Sequence, residues 1–192
     1  MEIVLIVSFG DVGIEAQALR QVLELYGFSV LIKYIGRPND FIDVLKDNVE
    51  LNANYIIISC HGEDGRIIMP KLYESIYLQD EPQSNFSSNE IERYLKLSNK
   101  AIISTGCTTG YKNMMDVFSK NNNTYIAPTD YIDGNAVFIF VANMFYLLSK
   151  KIDIFTSYNK AKQLDNDTSC MIISLKLEED QQNKLNRGMK KD

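Results

Sequence analysis

Short apolar runs rich in β-branched residues recur along this chain, and most of them end in a turn. The first three runs cover Glu2 to Phe9, Phe28 to Tyr34 and Tyr55 to Ser59. Between them, residues 14–26 carry apolar side chains at helical spacing and stop at a glycine, and Pro38 opens a second helix that is predicted to reach about Leu51. Strands that alternate with helices in this way predict right-handed βαβ units and a parallel sheet.

The second half of the chain continues the same alternation. It predicts a helix from Ser88 or Asn89 to about Leu97, strand Ala101–Ser104, a helix capped by Thr108 or Thr109, strand Thr124–Ala127, helices over 136–148 and 154–164, and a last strand from Cys170 to Leu175. Residues 1–176 are therefore predicted to form one α/β domain. Residues 177–192 are charged and rich in Gln and Asn, which predicts a polar tail.

Composition and charge narrow the classes of partner. The chain of 192 residues has 20 basic and 25 acidic side chains, with no basic stripe, so a nucleic acid partner is not expected. The apolar runs are too short to cross a bilayer, which predicts a cytoplasmic protein without a membrane partner. Three scattered cysteines and one histidine make neither a disulfide framework nor a zinc site. We expect no metal and no cofactor.

The only histidine and one of the cysteines each follow one of the short apolar runs. His61 lies directly after Ile56-Ile57-Ile58-Ser59-Cys60 and before Gly62, and Cys107 follows the strand predicted at 101–104. The carboxyl ends of parallel strands meet at one edge of a sheet, where α/β folds bind their ligands. A thiol beside an imidazole is a nucleophile with its base. The two side chains are therefore predicted to lie close together as a catalytic Cys-His dyad.

The order strand, His-Gly, hairpin, helix, strand, Cys, helix resembles that of the caspase-like (clan CD) cysteine peptidases, which include caspases, gingipains, separase and the bacterial CHAT domains. The segment Ser104-Thr105-Gly106-Cys107-Thr108-Thr109-Gly110 is similar to the Ser-Ala-Cys-x-Thr-Gly motif of CHAT domains. Strand 124–127, followed by Pro128, Asp133 and an apolar helix, resembles the next part of that domain. The resemblance implies a three-layer sandwich with a mostly parallel sheet of about six strands and helices on both faces.

The resemblance also implies the roles of individual residues. Cys107 would be the nucleophile and His61 the base or acid of a cysteine endopeptidase, while the backbone N–H groups of Gly62 and Cys107 would hold the oxyanion. Asp133, and less directly Asp130, would form a pocket acid that selects a basic residue before the scissile bond. The substrate would be a protein or peptide in a prokaryotic regulatory or defence setting, with a possible activating partner protein.

Other interpretations of these residues stay open at this point. Asp130 and Asp133 can instead cap the following helix, and Cys60 and Cys170 are predicted to be small buried apolar side chains. The chain can also be a non-catalytic binding module, either a caspase-like scaffold or a flavodoxin-like domain that binds a nucleotide or phosphate ligand. The long polar segment from Lys71 to Ser88 is predicted to gate the site.

Overall fold

The computed structural model of the protein describes residues 2–49 and 51–174, and these form a six-stranded sheet with helices on both faces. The strand order is β2-β1-β3-β6-β7-β8, and all neighbours are parallel except β7 and β8. This confirms the predicted fold class. The sheet strands are β1 (Ile3–Phe9), β2 (Ser29–Ile35), β3 (Tyr55–Ser59), β6 (Ala101–Ser104), β7 (Thr124–Pro128) and β8 (Met171–Ile173), and β4 (Gly62–Glu63) and β5 (Arg66–Ile67) form a separate hairpin.

Three helices cover each face of the sheet. The helices are α1 (Gly13–Leu25), α2 (Pro38–Leu45), α3 (Ser88–Tyr94), α4 (Lys112–Phe118), α5 (Gly134–Ser149) and α6 (Ile154–Lys162). Alternate residues of β1 point to opposite faces, so Val4 and Ile6 join the core under α1, α5 and α6, while Leu5 and Val7 join the core under α2, α3 and α4. The sheet is thus buried on both faces, as its continuous apolar strands require.

The first strand and the first helix lie where the sequence pattern predicts them. The β-branched run of β1 is buried along almost its whole length. Helix α1 then ends where Gly27 adopts a φ of 94°, and the N–H groups of Gly27 and Phe28 donate to the carbonyls of Glu24 and Leu23. This is a Schellman motif, in which glycine takes the left-handed position without a Cβ penalty.

Helix α2 ends at Leu45, about six residues earlier than the sequence predicted. Asp47 adopts a left-handed φ of 59°, and the N–H of Asn48 donates to the carbonyl of Asp43 at 2.9 Å. Asp and Asn tolerate this conformation better than other non-glycine residues, so they close the helix in the way glycine closes α1. The apolar spacing that continues to Leu51 concealed this stop.

Two helix starts also differ from the prediction. Helix α3 is capped by Ser87, not by Ser88 or Asn89, through a capping box with Glu90. Helix α4 begins at Lys112 after Tyr111, so neither Thr108 nor Thr109 caps it. The Thr109 hydroxyl instead donates to the carbonyl of Gly106 at 2.6 Å, within the turn that precedes the helix.

The predicted tail at 177–192 lies outside the described residues. Within the described part, the last strand spans only Met171–Ile173, because residues 168–170 form a short 3₁₀ turn before it. None of the helices in residues 2–49 and 51–174 has the length and apolar character needed to cross a bilayer.

Candidate active site

The structure places His61 and Cys107 beyond the carboxyl ends of neighbouring parallel strands, as the sequence predicted. Strands β3 and β6 pair in register from Tyr55 opposite Ala101 to Ile58 opposite Ser104. The pairing continues one step further, where the N–H of Thr105 donates to the carbonyl of Ile58 at 3.0 Å. His61 is exposed and Cys107 is partly buried, so both are accessible from the open edge of the sheet.

Two glycines allow the segments that carry these side chains to touch. A Cβ on Gly62 would lie 2.1 Å from the carbonyl oxygen of Cys107, and a Cβ on Gly106 would lie 2.8 Å from the sulfur of Cys60 and 3.3 Å from the nitrogen of Gly62. Contacts of 2.1 and 2.8 Å are shorter than real Cβ contacts, so a larger residue at either position would force a neighbouring atom to shift, and at Gly62 that atom is backbone. The close approach fixes the residue after His61 against the backbone of Cys107.

Thr108, the residue after Cys107, is held in a strained conformation. Its φ is 59°, which is a rare value for a β-branched residue, and its side chain is buried. Three hydrogen bonds hold it: Gly65 N–H donates to the Thr108 hydroxyl at 3.0 Å, Thr108 N–H donates to the Asp130 carbonyl at 3.2 Å, and Tyr111 N–H donates to the Thr108 carbonyl at 3.2 Å. Strain of this kind costs about 1–3 kcal/mol and is concentrated at functional sites.

The thiol of Cys107 lies against the loop that connects β7 to α5. Its Sγ is 3.7 Å from the carbonyl oxygen of Ile132, to which the thiol donates a weak hydrogen bond. The β4–β5 hairpin contacts the same segment through Gly62, which touches the Cys107 carbonyl, and through Gly65, whose N–H donates to the Thr108 hydroxyl. Its turn, Asp64-Gly65, has positive φ at both residues, as a type I′ turn requires, and the ring of Tyr111 packs on Gly65. The hairpin and the β7–α5 loop therefore both contact the segment that carries Cys107.

Glu15 is a site residue that the sequence reasoning missed. It lies in the first turn of α1, and one of its carboxylate oxygens accepts hydrogen bonds from Ser59 at 2.6 Å and from Thr105 at 2.9 Å. Burial raises the pKa of Glu15, while the two hydroxyls and the nearby His61 oppose that rise. The carboxylate therefore bridges the ends of β3 and β6 and interacts electrostatically with the imidazole. No local sequence pattern predicts this contact, because residues 15, 59 and 105 come together only in the folded protein.

The two predicted pocket acids are both exposed. Asp133 caps α5, where its carboxylate accepts from the N–H of Asn135 at 2.7 Å, which confirms the capping interpretation for this residue. Asp130 does not cap the helix; its carboxylate accepts from the N–H of Tyr131 at 2.7 Å. Tyr131 is 66% exposed, and partial desolvation together with Asp64 and Glu63 raises its pKa. The rim around Cys107 is thus acidic and aromatic.

The other two cysteines have less reactive surroundings. Cys60 is 3% exposed, and burial raises its pKa to about 12, so the predicted role as a small core side chain is confirmed. Cys170 is partly exposed and lies just before β8, and desolvation raises its pKa as well. Among the described residues, no group of three His, Cys, Asp or Glu side chains is arranged to hold a metal ion.

The segment from Lys71 to Ser88 is anchored more firmly than its composition suggested. Glu81 has a fully buried side chain that pairs with Arg37 through two hydrogen bonds, of 3.0 and 2.6 Å. Phe86 is also fully buried and pairs with Ile67 in a β-bridge. Tyr73, by contrast, is 82% exposed. The segment therefore crosses from the hairpin to the β2–α2 turn with buried contacts at Glu81 and Phe86 and an exposed stretch before them.

No protein-family model matches the sequence, and no curated protein matches it. Among solved structures, the chain is similar to the Arg specific cysteine proteinase gingipain R, with 15% identity and a TM-score of 0.50 over 78% of this chain and 37% of that one. A complex of Porphyromonas gingivalis RgpB pro- and mature domains gives 13% identity and a TM-score of 0.52 over 86% and 44%. A pyridoxal kinase from Staphylococcus aureus overlaps less well, with 9% identity and a TM-score of 0.42 over 90% and 98%.

The chain spans less than half the length of the two gingipain chains. At identities of 13–15%, the likeness concerns the fold and not the activity. The two gingipain structures have a caspase-like fold. The protein therefore has the caspase-like α/β fold, and Cys107 and His61 follow two neighbouring strands at one edge of its sheet.

Proposed function

We propose that the protein is a cysteine endopeptidase in which Cys107 is the nucleophile and His61 is the general base and acid. The observation that carries this proposal is the contact between the two strand ends, in which Gly62 touches the backbone of Cys107. This contact holds the residue that follows the only histidine of the chain against the backbone of Cys107, whose thiol is partly buried. The similarity of the Cys107 segment to the CHAT motif gives further support.

The reaction would proceed by acyl transfer. His61 would take the thiol proton, and the thiolate of Cys107 would attack the scissile carbonyl to form a tetrahedral oxyanion. The backbone N–H groups of Gly62 and Cys107 would donate hydrogen bonds to that oxyanion. His61 would then give the proton to the leaving amine, and water would hydrolyse the thioester and regenerate the thiol. Glu15 would act as a positioning residue, because its negative charge favours the protonated imidazole.

The acidic rim supports a preference for Lys or Arg before the scissile bond. Glu63 and Asp64 lie on the hairpin, and Asp130 and Asp133 lie on the facing loop, so a cationic side chain that reaches Cys107 would enter negative potential. The similar structure of gingipain R is that of an Arg specific enzyme. Asp133→Asn tests the preference cleanly, because asparagine caps a helix as well as aspartate does and only the charge is lost.

The resting geometry also supports an enzyme that needs activation by a partner protein. The thiol of Cys107 donates to the carbonyl of Ile132, and it must turn away from this acceptor before His61 can take its proton. A partner that moves the β7–α5 loop, or the exposed part of the Lys71 to Ser88 segment, would favour that rearrangement by binding one state better than the other. We place this function in a prokaryotic regulatory or defence system.

The proposal is tested by alkylation and by a peptide library. Iodoacetamide should label Cys107 faster than Cys60 or Cys170, whose pKa values are raised, and His61→Ala should slow the labelling of Cys107. Cys107→Ala and His61→Ala should each abolish library cleavage, and the double variant should be little worse, since a dyad acts as a unit. Cys170→Ala is the matched control and should cleave normally. Cleavage that survives in Cys107→Ala, or equal labelling of the three cysteines, would contradict the proposal.

The main alternative is a binding module without catalysis. One observation counts against a phosphate ligand at the α1 N-terminus, because the carboxylate of Glu15 already occupies the space over the ends of β3 and β6. A caspase-like scaffold remains as the second candidate. A scaffold that keeps His61 and Cys107 does not need a selectively reactive Cys107, so equal labelling of the three cysteines favours the scaffold and the alkylation experiment separates the two functions.

A further inference from the structure

A groove lies at the β8 edge of the sheet, and neither His61 nor Cys107 is among the described residues that line it. It runs along β8 between α4 on one face and the end of α6 on the other, and it encloses about 920 Å³. Its lining is largely apolar and includes Met115 of α4 and Ile172 and Ile173 of β8. Lys112 and Lys120 lie at its α4 side, where they pair with Asp116 and Glu92, and Lys162 lies at its α6 side, where its Nζ donates to the Tyr158 hydroxyl. Among the described residues, the groove is therefore apolar at its floor and carries at its rim one lysine, Lys162, that is in no ion pair with a described carboxylate.

In the part of the chain that the structure describes, the floor of the groove is the outer edge of the sheet. The N–H of Ser174 donates to the carbonyl of Tyr125, and the N–H of Thr129 donates to the carbonyl of Cys170, so the even-numbered residues at this end of the chain pair with β7. In an antiparallel ladder the residues between them, Met171 and Ile173, direct their backbone groups the other way, toward the groove. Tyr158 already donates to the Met171 carbonyl at 2.8 Å, whereas Ile173 lines the open part.

We propose that this groove binds an extended segment of a partner protein, about four residues long, that carries both apolar and acidic side chains. Such a segment would add to β8 as a further strand through the backbone groups of Ile173. We estimate its length from α4, which forms one side of the groove. The seven residues of α4 span about 10 Å, which equals three to four residues of extended chain. Its acidic character follows from Lys162, the rim lysine that pairs with no carboxylate of the described residues. A second copy of this chain is disfavoured, because it would bring two copies of Lys162 together.

The inference does not depend on peptidase activity. Gly110 lines the groove and also belongs to the turn that leads from Cys107 into α4. Its N–H donates to the carbonyl of Pro128 at 2.8 Å. A ligand in the groove therefore touches the same loop ends that flank the thiol, but its binding can be measured in Cys107→Ala as well as in the wild type. A failure of the peptidase proposal leaves this proposal standing, and the reverse also holds.

The test uses a fluorescein-labelled octapeptide with pairs of Val alternating with pairs of Glu, so that each face of the strand carries both types. Fluorescence anisotropy should show binding that weakens as salt is raised. Lys162→Glu should weaken it roughly threefold to tenfold, since a partly exposed attraction becomes a repulsion. Lys160→Glu is the matched control: it makes the same charge change on the same helix, away from the groove, and should leave affinity unchanged. A probe with alternate N-methylated residues should bind at least about tenfold more weakly, because it cannot complete the ladder.

Five results would overturn the proposal. Four of them are no binding of the octapeptide, equal affinity in the two lysine variants, tight binding of a probe in which Lys replaces Glu, and concentration-dependent dimerisation that Lys162→Glu alters. The acidic run Glu178-Glu179-Asp180 of this chain is a competing occupant. If changing these three residues to Lys raises octapeptide affinity by about tenfold or more, the chain's own C-terminal segment fills the groove and the partner proposal fails.

Discussion

Gly62→Ala should disconnect the two halves of the candidate active site. The added Cβ would lie 2.1 Å from the carbonyl oxygen of Cys107 and 2.8 Å from the Cγ2 of Thr109, and the carbonyl is backbone that cannot rotate away. The turn after β3 and the turn after β6 must then separate by roughly 1 Å, which as an overpacking change costs about 1–3 kcal/mol of the free energy of unfolding. A misplacement of that size at a catalytic group lowers the rate by about 100-fold.

The assay combines urea denaturation with the rate of Cys107 alkylation and of peptide cleavage. Most of the stability of a domain this size should remain, so the variant should be folded at 25 °C and its loss of reactivity should not reflect unfolding. Gly36→Ala is the control, because Gly36 also follows a strand at this edge and its added Cβ would meet only the Asp40 carboxylate, at 3.7 Å. If Gly62→Ala matches Gly36→Ala in stability and in Cys107 reactivity, the contact does not organise the site.

Three further changes probe charge and backbone. The Arg37 guanidinium lowers the pKa of Glu81 to about 2, so this pair should stabilise the fold above about pH 4.5 and lose its effect as the pH falls toward 2; Glu81→Gln should cost about 1–3 kcal/mol at pH 7 in thermal unfolding and flatten that acid limb. The pKa of Glu15 is raised, so its effect on the pH dependence of stability is opposite to that of Glu81, and the free energy of unfolding should fall as the pH rises above 4.5. Glu15→Gln should remove this fall and lower cleavage activity. A pH profile of stability that is the same in the variant and the wild type would contradict the assignment to Glu15. Lys151 adopts a left-handed φ of 63° at the end of α5, so Lys151→Gly should raise the free energy of unfolding by about 0.5–1 kcal/mol.

The elements that sequence predicted best are those with signals inside a few consecutive residues. Strands β3 and β6 have the predicted bounds, because their β-branched runs are short, buried on both faces and limited by polar turns. The end of α1 was also predicted from a single local signal, which is Gly27. The end of α2 was missed because a left-handed aspartate is rare, and the apolar spacing continues past it.

The candidate site likewise contains some features that local sequence patterns predict and others that depend on the tertiary structure. The positions of His61 and Cys107 at neighbouring strand ends follow from two local patterns and the rules of parallel sheets. The hydrogen bonds of Glu15 could not be predicted, because its partners Ser59 and Thr105 are 44 and 90 residues away in the chain. Thr109 resembled a helix cap in sequence, yet its hydroxyl satisfies the turn around Cys107 instead. A hydroxyl near a helix start has several acceptors within reach, and only the tertiary structure selects one.

The order of strands in the sheet has a consequence for how the protein assembles during synthesis. Starting from β1, the chain adds β2 on one side, and then β3, β6, β7 and β8 in turn on the other, so no strand has to enter between two that are already paired. Each strand can dock on an open edge as it leaves the ribosome, which keeps loop closures short and limits the time for which apolar edges are exposed. The segments that carry His61 and Cys107 would come together when β6 docks on β3, before β7 and β8 are added at that edge.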